Sequence, residues 1–329
     1  MATYKGIKGF NIQTVSSDPP APFIGEVWYN SASATVKYFG VQIAAWSTGG
    51  NKADGSYSLA GAGTQTAGLA FGGESPPGDE KKTEEYNGTS WTNGGAMTTG
   101  GQRLAGAGTQ TAGLGFGGKI STGSSNATEE YNGSSWTNGG NLGTARYYLG
   151  SAGTQTAGLA FAGASTPPYT RYDATEEYNG TAWTGGGTMN FARQDVGGAG
   201  TQTSALVFGG SAAPPVNVAA GVATEEYDGS SWTVGGSLSI GRKYLSGCGE
   251  SNSGALAISG NNPGILNTEQ YNGTAWTSTA SLNTGLKQGA GAGTTTAALA
   301  FGGTNPPDAG LLTQEFNDAT PATFTVGTD

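Results

Sequence analysis

Small, polar and apolar positions follow one another in short runs along this chain, and the same runs recur. The first recurring run is Gly-Ala-Gly-Thr-Gln-Thr-Ala-Gly-Leu-Ala-Phe-Gly-Gly, which begins at Gly61. Related copies begin at Gly106, Ser151, Gly198, Gly247 and Gly291, so the period is 44 to 49 residues. Short runs with a period of two, bounded by Gly-rich punctuation, predict strands and not helices.

A second recurring run, Thr-Glu-Glu-Tyr-Asn-Gly-x-x-Trp-Thr, follows the first run with small variations. Its copies begin at Thr83, Thr128, Thr175, Thr224 and Thr268. The first run predicts two strands joined at Gln-Thr, and the second predicts two more flanking Asn-Gly, a signal for a tight two-residue hairpin. Four strands in a unit of this length are typical of one propeller blade.

The chain is therefore predicted to be an all-β propeller of four-stranded antiparallel blades. Residues 51–329 contain six repeats, whereas residues 1–50 contain runs that imitate strands two to four. Tyr38 and Trp46 have the same eight-residue spacing as Phe316 and Phe324 in the last unit. We therefore expect seven blades, residues 1–50 forming the first blade, an attachment segment or both. The alternative is six blades with residues 1–50 as a separate attachment segment.

The order of residues in each unit resembles the kelch repeat. An apolar strand ends in Gly-Gly, as at Gly117-Gly118, a Tyr and a Trp follow, as at Tyr131 and Trp136, and an Arg opens the next unit, as at Arg146. The match covers nearly all of residues 50 to 326. The resemblance implies a kelch-type propeller in which these residues pack the blades against one another.

Composition excludes several classes of function. The net charge of −9 argues against nucleic acid as a partner, because phosphate binding needs a concentrated cationic surface. The start of the chain has no signal-peptide pattern and no long apolar run occurs, so neither export nor membrane insertion is expected. Histidine is absent and Cys248 is the only cysteine. We therefore expect no catalytic residues, no bound metal, no cofactor and no enzyme activity.

Candidate ligand-binding residues come from charge placement and loop variation. Basic residues open most units and would circle the axis as a cationic mouth suited to an acidic glycan or a carboxylate-bearing partner: Arg103, Arg146, Arg193, Arg242 and Lys287. The favoured alternative is that these arginines pair with third-strand glutamates between blades. Tyr169, Arg171 and Tyr172 have the character of contact residues in a long, divergent loop. Such loops either form a recognition surface or vary because they are exposed.

The N-terminal residues resemble structural proteins of tailed bacteriophages, notably marine phages with kelch-like repeats. The matching run is Gly-x-x-Trp-Tyr-Asn, at Gly25 to Asn30, followed by Lys37, Tyr38 and Trp46. The resemblance implies a virion protein such as a tail fibre, assembled in the host cytoplasm. Its implied partners are other virion proteins and a host-surface glycan, and it implies a homo-oligomer. The alternative is a bacterial kelch-type lectin or an intracellular protein-interaction scaffold.

Overall fold

The structure is a computed structural model that describes residues 12–75, 81–166, 168–212, 221–261, 265–304 and 310–326, and the backbone of residues 78–79. Every regular element in these ranges is a β-strand. The chain divides into two compact units: Met1–Ala44 with Asp318–Asp329, and Ala45–Asn317. The N-terminal boundary expected at residue 50 is thus drawn after Ala44 here, and the C-terminal residues join the N-terminal unit.

The larger unit, Ala45–Asn317, consists mainly of six four-stranded antiparallel sheets, here numbered sheets 1 to 6. Their strands, in spatial order, are Ala60–Thr64, Ala67–Phe71, Thr83–Tyr86 and Trp91–Asn93; Ala105–Thr109, Ala112–Phe116, Thr128–Tyr131 and Trp136–Asn138; Gly150–Thr154, Ala157–Phe161, Thr175–Tyr178 and Trp183–Gly185; Gly197–Thr201, Ser204–Phe208, Thr224–Tyr227 and Trp232–Val234; Ser246–Ser251, Gly254–Ile258, Thr268–Tyr271 and Trp276–Ser278; Ala290–Gly293, Ala297–Phe301, Thr313–Asn317 and Ala45–Thr48. Each repeat therefore forms the strands that its two runs predict.

Shorter strand pairs lie beside these sheets. They are Glu74–Ser75 with Gly78–Asp79, Lys119–Ile120 with Gly123–Ser124, Ala164–Ser165 with Thr170–Arg171, and Arg193–Gln194 with Ser211–Ala212. Most of them belong to the connections between second and third strands, where the sequence varies most. The predicted variable loops at 74–82, 211–223, 261–267 and 304–312 lie partly outside the described residues.

The first strands of the six sheets pack against one another in a closed cycle. Each contacts the first strand of the next sheet, and Ala290–Gly293 of sheet 6 contacts Ala60–Thr64 of sheet 1. Small residues permit this close approach: a Cβ on Gly198 would lie 2.5 Å from the carbonyl oxygen of Ser151. The run of Gly and Ala that opens each repeat thus allows the strands to converge on one axis.

The strand Ala45–Thr48 corrects the predicted N-terminal blade. It pairs with Thr313–Asn317 as the fourth strand of sheet 6, where Trp46 lies opposite Phe316. Tyr38, which the sequence groups with Trp46, instead lies opposite Phe324 in the smaller unit. The predicted first of seven blades therefore does not form from these residues. The N-terminal strand instead pairs with the third strand of sheet 6, which its own repeat leaves without a fourth.

Tryptophan joins each sheet to its neighbour. The Trp136 ring packs 4.8 Å from the Phe71 ring of the preceding sheet, and its Nε1 donates a hydrogen bond of 2.8 Å to Thr83 Oγ1. Trp46 Nε1 donates to Thr268 Oγ1 at 3.1 Å in the same way. The repeated Thr and Trp therefore form one contact between neighbouring sheets, with an apolar and a polar part.

Tyrosine and the second glutamate of each Glu-Glu pair form another contact between sheets. Tyr131 Oη donates to Glu85 Oε1 of the preceding sheet at 2.5 Å, and burial together with this bond raises the pKa of Tyr131 to about 12. Four other sheets have the same bond. In sheet 6 the tyrosine is replaced by Phe316, and the corresponding glutamate of sheet 5 is replaced by Gln270. Hydroxyl and carboxylate are thus absent together.

We expect Tyr131→Phe to lower the free energy of unfolding by about 1–3 kcal/mol, because the partly buried Glu85 carboxylate loses its donor. The matched variant Tyr131→Phe/Glu85→Gln reproduces the natural Phe316 and Gln270 combination and should recover most of that loss. Urea unfolding at pH 7 measures both values. Equal destabilisation of the single and double variants would contradict this role for the carboxylate.

The Asn-Gly connections differ from the predicted two-residue hairpins. Tyr86 pairs directly with Trp91, so the loop contains the four residues 87–90. Asn87 Oδ1 accepts hydrogen bonds from the backbone N–H groups of Thr89 at 3.0 Å and Ser90 at 2.9 Å. An Asn side chain that closes its own loop in this way permits a longer connection than the dipeptide alone predicts. By contrast, Gln65-Thr66 is the two-residue turn that the sequence predicts.

The smaller unit contains one four-stranded mixed sheet with the order Gln13–Val15, Val27–Asn30, Thr35–Gln42 and Thr320–Thr325. The first two strands are parallel and the other pairings are antiparallel. Tyr38 and Phe324 stack with ring centroids 5.0 Å apart. Several apolar side chains of this unit are exposed, including Phe23 at 70%, Ile24 at 60% and Ile43 at 80%.

Candidate functional site

Six residues of the larger unit form a ring around the axis on which the first strands converge. One precedes each first strand, and their backbones make a closed cycle of hydrogen bonds of 2.7 to 3.1 Å in which each N–H donates to the carbonyl oxygen of the previous member. We call these residues the axial ring: Ser58, Arg103, Tyr148, Asp195, Tyr244 and Gln288. Repetition of the fold thus brings six side chains from distant parts of the chain to one place.

The axial ring has a backbone conformation that normally favours glycine. All six residues have φ between +55° and +60°, in the left-handed region. A non-glycine residue in this region costs about 1 kcal/mol or more. The chain has 61 glycines and uses them at similar φ elsewhere, for example at Gly117, but at none of these six positions. Side chains are therefore retained at this ring despite a backbone cost.

A cavity of about 90 Å³ lies within the axial ring. The six ring residues contribute its polar groups, and the residue that follows each in sequence also lines it: Leu59, Leu104, Leu149, Val196, Leu245 and Gly289. A second cavity of about 150 Å³ shares these following residues and extends along the Gly- and Ala-rich first strands. The site therefore combines polar groups with an apolar wall, as small-molecule sites do.

Tyr148 makes contacts with three other members of the ring. The Arg103 guanidinium lies 4.6 Å from the centre of the Tyr148 ring, a cation–π distance. Gln288 Nε2 donates to Tyr148 Oη at 3.0 Å, and the Tyr244 ring centroid is 5.8 Å away. Burial raises the pKa of Tyr148 above its usual range, so it is a neutral phenol at physiological pH. These contacts hold Tyr148 in the middle of the polar group.

Asp195 is the one carboxylate of the axial ring, and it is only 5% exposed. Its Oδ2 accepts hydrogen bonds from Gln194 Nε2 at 2.9 Å and Ser211 Oγ at 3.3 Å. Its Oδ1 is buried and has no hydrogen-bond partner among the described residues. Burial raises the pKa of Asp195 to about 6, against the opposing effects of those bonds and of Lys243 and Arg103.

Positive charge exceeds negative charge around the cavity. Lys243 Nζ and Lys287 Nζ lie 5.1 Å and 5.6 Å from the centre of the Tyr244 ring. Together with Arg103 they place three cations near the single carboxylate of Asp195. The surroundings of this cavity are therefore cationic, although the whole chain has a net charge of −9.

The structure divides the predicted cationic mouth into two groups. Arg103 lines the axial cavity and Lys287 lies beside it. Arg146, Arg193 and Arg242 do not: they are 0%, 0% and 1% exposed and pair with third-strand glutamates at 2.9, 2.8 and 2.6 Å. For these three residues the expected ring of free cations is wrong and the alternative of structural pairing is correct. Their guanidinium groups also donate to backbone carbonyls, which fixes them inside the sheets.

The predicted contact residues Tyr169, Arg171 and Tyr172 lie together beside the axial ring. The Arg171 guanidinium is 5.1 Å from the centre of the Tyr169 ring, and Tyr169 is 52% exposed. Tyr169 Oη donates to Gln194 Oε1 at 2.7 Å, while Tyr172 Oη bonds to Ser165 Oγ at 2.7 Å. Because Gln194 also bonds to Asp195, this loop is linked to the axial ring through one side chain.

Sequence reasoning missed most of the axial ring. Ser58, Tyr148, Asp195, Tyr244 and Gln288 were not expected to share a site. A signal does exist, because the position two residues before each Gly/Ala-rich strand carries Ser, Arg, Tyr, Asp, Tyr and Gln in turn, while the neighbouring positions are much more uniform. A position that is always occupied by a side chain but rarely by the same one is typical of a recognition surface on a constant scaffold.

The N-terminal phage-like run has a local structural role. Asp18 Oδ1 accepts hydrogen bonds from Trp28 Nε1 at 3.1 Å and Asn30 Nδ2 at 2.7 Å, and Asp18 Oδ2 binds Lys37 Nζ at 2.7 Å. The bonds from Lys37, Asn30 and Trp28 lower the pKa of Asp18 to about 2. The Trp, Asn and Lys of the run therefore converge on one carboxylate that holds the small sheet together.

Other kinds of site are absent from the described residues. No group of three or more His, Cys, Asp or Glu side chains in them is placed to hold a metal ion. Among the same residues, no helix has the length and apolarity to cross a membrane. Cys248 is buried, and burial raises the pKa of its thiol above the usual range, so it is not an activated nucleophile.

Comparison with known proteins identifies the fold. No protein-family model and no curated protein matches this sequence. A solved structure titled "Structure of YjhT" superposes with a TM-score of 0.66 at 13% identity, covering 84% of this chain and 100% of that one. At this identity the likeness concerns the fold alone. Converging four-stranded sheets with cyclic contacts between their first strands agree with it. The chain has a β-propeller fold.

The axial ring of the propeller can bind but has little means of catalysis. It offers one carboxylate, one guanidinium, two phenols, an amide and a hydroxyl, and the chain has no histidine. The Ser58 hydroxyl has no hydrogen-bond partner among the described residues, so no base activates it there. These groups can donate and accept hydrogen bonds and attract an anion.

Proposed function

We propose that this chain is a non-enzymatic recognition protein that binds its ligand at the axial end of a six-bladed kelch-type propeller. In this proposal sheets 1 to 6 are the blades, and Ala45–Thr48 closes the ring by completing the last one. The observation that carries it is the axial ring, where six side chains occupy a backbone conformation suited to glycine. Local strain of this kind is retained where a side chain is needed for function.

We further propose that the protein is a component of a phage virion that contacts the host surface. The support is the resemblance of residues 25–46 to openings of phage structural proteins. Exposed apolar side chains of the smaller unit, Phe23, Ile24 and Ile43, would suit burial against another virion protein. In this view the smaller unit attaches the protein and the propeller presents the axial ring and the adjacent loops to the host.

Two experiments test these proposals separately. Immunogold labelling of purified virions should locate the protein on the particle, and its absence would remove the virion assignment. A bacterial kelch-type lectin is the second candidate function, since the axial ring needs no virion in order to bind. Glycan binding by a protein that is absent from virions would favour that candidate.

We expect Tyr148→Gly/Tyr244→Gly to reduce binding of the purified protein to host cells at least tenfold, because the two side chains form the aromatic part of the cavity. The unfolding midpoint should change little, since glycine relieves the positive φ at both positions while contacts are lost. Ser259→Gly is the matched control: Ser259 has a φ of +54° but does not line the cavity. Undiminished cell binding by a folded double variant would refute the axial site.

A further inference from the structure

The axial cavity contains buried polar atoms that have no partner within the described part of the propeller. Asp195 Oδ1, Ser58 Oγ and Arg103 Nε are all buried without a hydrogen bond there. Asp195 belongs to sheet 4 and Ser58 to sheet 1, so they lie on opposite sides of the six-membered ring. Buried polar groups in proteins are normally satisfied, and each unsatisfied one is costly. A ligand that fits must offer hydrogen-bond donors to the carboxylate and an acceptor to the guanidinium.

The charge around the cavity restricts the ligand further. Arg103, Lys243 and Lys287 surround the two tyrosines, and Asp195 is the only carboxylate among them. A ligand cation would gain from Asp195 but would be repelled by three positive charges. A ligand carboxylate would instead be attracted by those charges, with Arg103 able to bind it through two parallel hydrogen bonds.

The size of the cavity restricts which part of a ligand can enter. A volume of about 90 Å³ is room for roughly three water molecules at ~30 Å³ each. One edge of a single sugar ring is of this size, whereas an internal chain segment would need space on both sides of the axis. The apolar wall and the Tyr148 and Tyr244 rings suit the C–H face of a sugar.

We propose that the axial cavity binds the terminal residue of a glycan that carries a carboxylate, a hexuronate-type sugar. Its carboxylate faces Arg103 and the lysines beside Tyr244, and its hydroxyls donate to Asp195 Oδ1 and bond to Ser58 Oγ. This inference rests on the proposed function and adds the class of ligand to it. Binding a hydroxylated acid requires both halves of the site: the cations select the carboxylate and Asp195 selects the hydroxyls.

Titration calorimetry of the full chain with D-glucuronate, D-glucose and acetate at pH 7 tests the inference. Glucuronate is expected to bind at least tenfold more tightly than either of the others, because glucose lacks the carboxylate and acetate lacks the hydroxyls. Equal binding of glucose and glucuronate would overturn the assignment of the cations. Equal binding of acetate and glucuronate would overturn the role of Asp195.

Variants connect the binding to the axial ring. Arg103→Gln should lower glucuronate affinity at least tenfold, with Arg103→Lys retaining part of it, and Asp195→Asn should weaken glucuronate but not acetate. Lys119→Gln removes a cation that does not line the cavity and should change nothing. An effect of Lys119→Gln as large as that of Arg103→Gln would show that only overall charge matters. An unchanged unfolding midpoint verifies that each variant is folded.

The outcome separates this inference from the proposed function. If glucuronate does not bind but the Tyr148→Gly/Tyr244→Gly variant still loses host-cell binding, the ligand class is wrong and the axial recognition site stands. If cell binding is independent of the axial ring, the proposed function itself fails, whatever glucuronate does. An oligosaccharide with an internal uronate should bind less tightly than one with a terminal uronate, and the reverse order would overturn recognition of the chain end.

Discussion

Arg193→Leu is expected to lower the free energy of unfolding by about 3–5 kcal/mol, because it leaves the Glu225 carboxylate buried without its cation. Both side chains are 0% exposed, and Arg193 Nη2 donates to Glu225 Oε1 at 2.8 Å. Burial lowers the pKa of Arg193, against the opposing effect of Glu225. Arg193 Nη1 also donates to the carbonyl oxygens of Gly209 and Ala223. Urea unfolding at pH 7 measures the loss.

Sheet 6 supplies the matched control for this prediction. The position of the arginine is there occupied by Leu286 and that of the glutamate by Gln314, whose amide bonds to Asn283 N and to both backbone groups of Thr284. Arg193→Leu/Glu225→Gln copies this combination and should recover at least half of the loss. No recovery would contradict the carboxylate as the main cause and would point instead to the two carbonyl groups left without a donor.

Asp195→Asn is expected to raise the free energy of unfolding by about 2–3 kcal/mol at pH 8 and to have little effect near pH 3. The reason is linkage: the pKa of Asp195 is about 6 in the folded protein against 3.8 for an exposed aspartate, and each pH unit of difference is worth about 1.4 kcal/mol. Between these values the folded state binds the proton more tightly, so stability is highest below about pH 4 and falls as pH rises through about 6. Asparagine abolishes that fall.

Asp228→Asn is the control for the pH dependence. Asp228 lies in a loop where other repeats carry Asn, and hydrogen bonds from Ser231 and Ser230 lower its pKa to about 2. Its contribution therefore has the opposite sign: it is present above about pH 4 and lost as pH falls toward 2. Unfolding midpoints measured from pH 3 to pH 8 should rise for Asp195→Asn at the alkaline end only. A parallel rise at all pH values would contradict ionisation of Asp195 as the cause.

The repeated residues of the sheets could be predicted from the sequence because their roles are local and repeated. Tyr131 and Trp136 recur at fixed spacing, and each makes the same contact with the preceding sheet. The pairing of Arg146, Arg193 and Arg242 with glutamates could be foreseen as one alternative, since a buried carboxylate needs a partner. The co-substitution of Phe316 and Gln270 was also readable in principle, but only once the structure shows which sheets are neighbours.

The candidate site could be predicted only in part. Arg103 and Lys287 were found because cations stand out in an acidic chain. Tyr148, Asp195 and Gln288 were not found, because nothing local distinguishes a polar residue before a strand from an ordinary loop residue. Their common φ and their cycle of backbone hydrogen bonds are properties of the assembled ring.

By itself, the sequence determined the repeating unit, its four strands and the all-β fold, because periodicity and packing residues act over a few positions along the chain. Only the tertiary structure decided that Ala45–Thr48 completes sheet 6 and that Thr320–Thr325 belongs to the smaller unit. The aromatic residues Trp46, Phe316 and Phe324 fit either pairing by spacing alone. Which strands join depends on hydrogen bonds between residues more than 260 positions apart, as for Trp46 and Phe316, and ring closure selects among them.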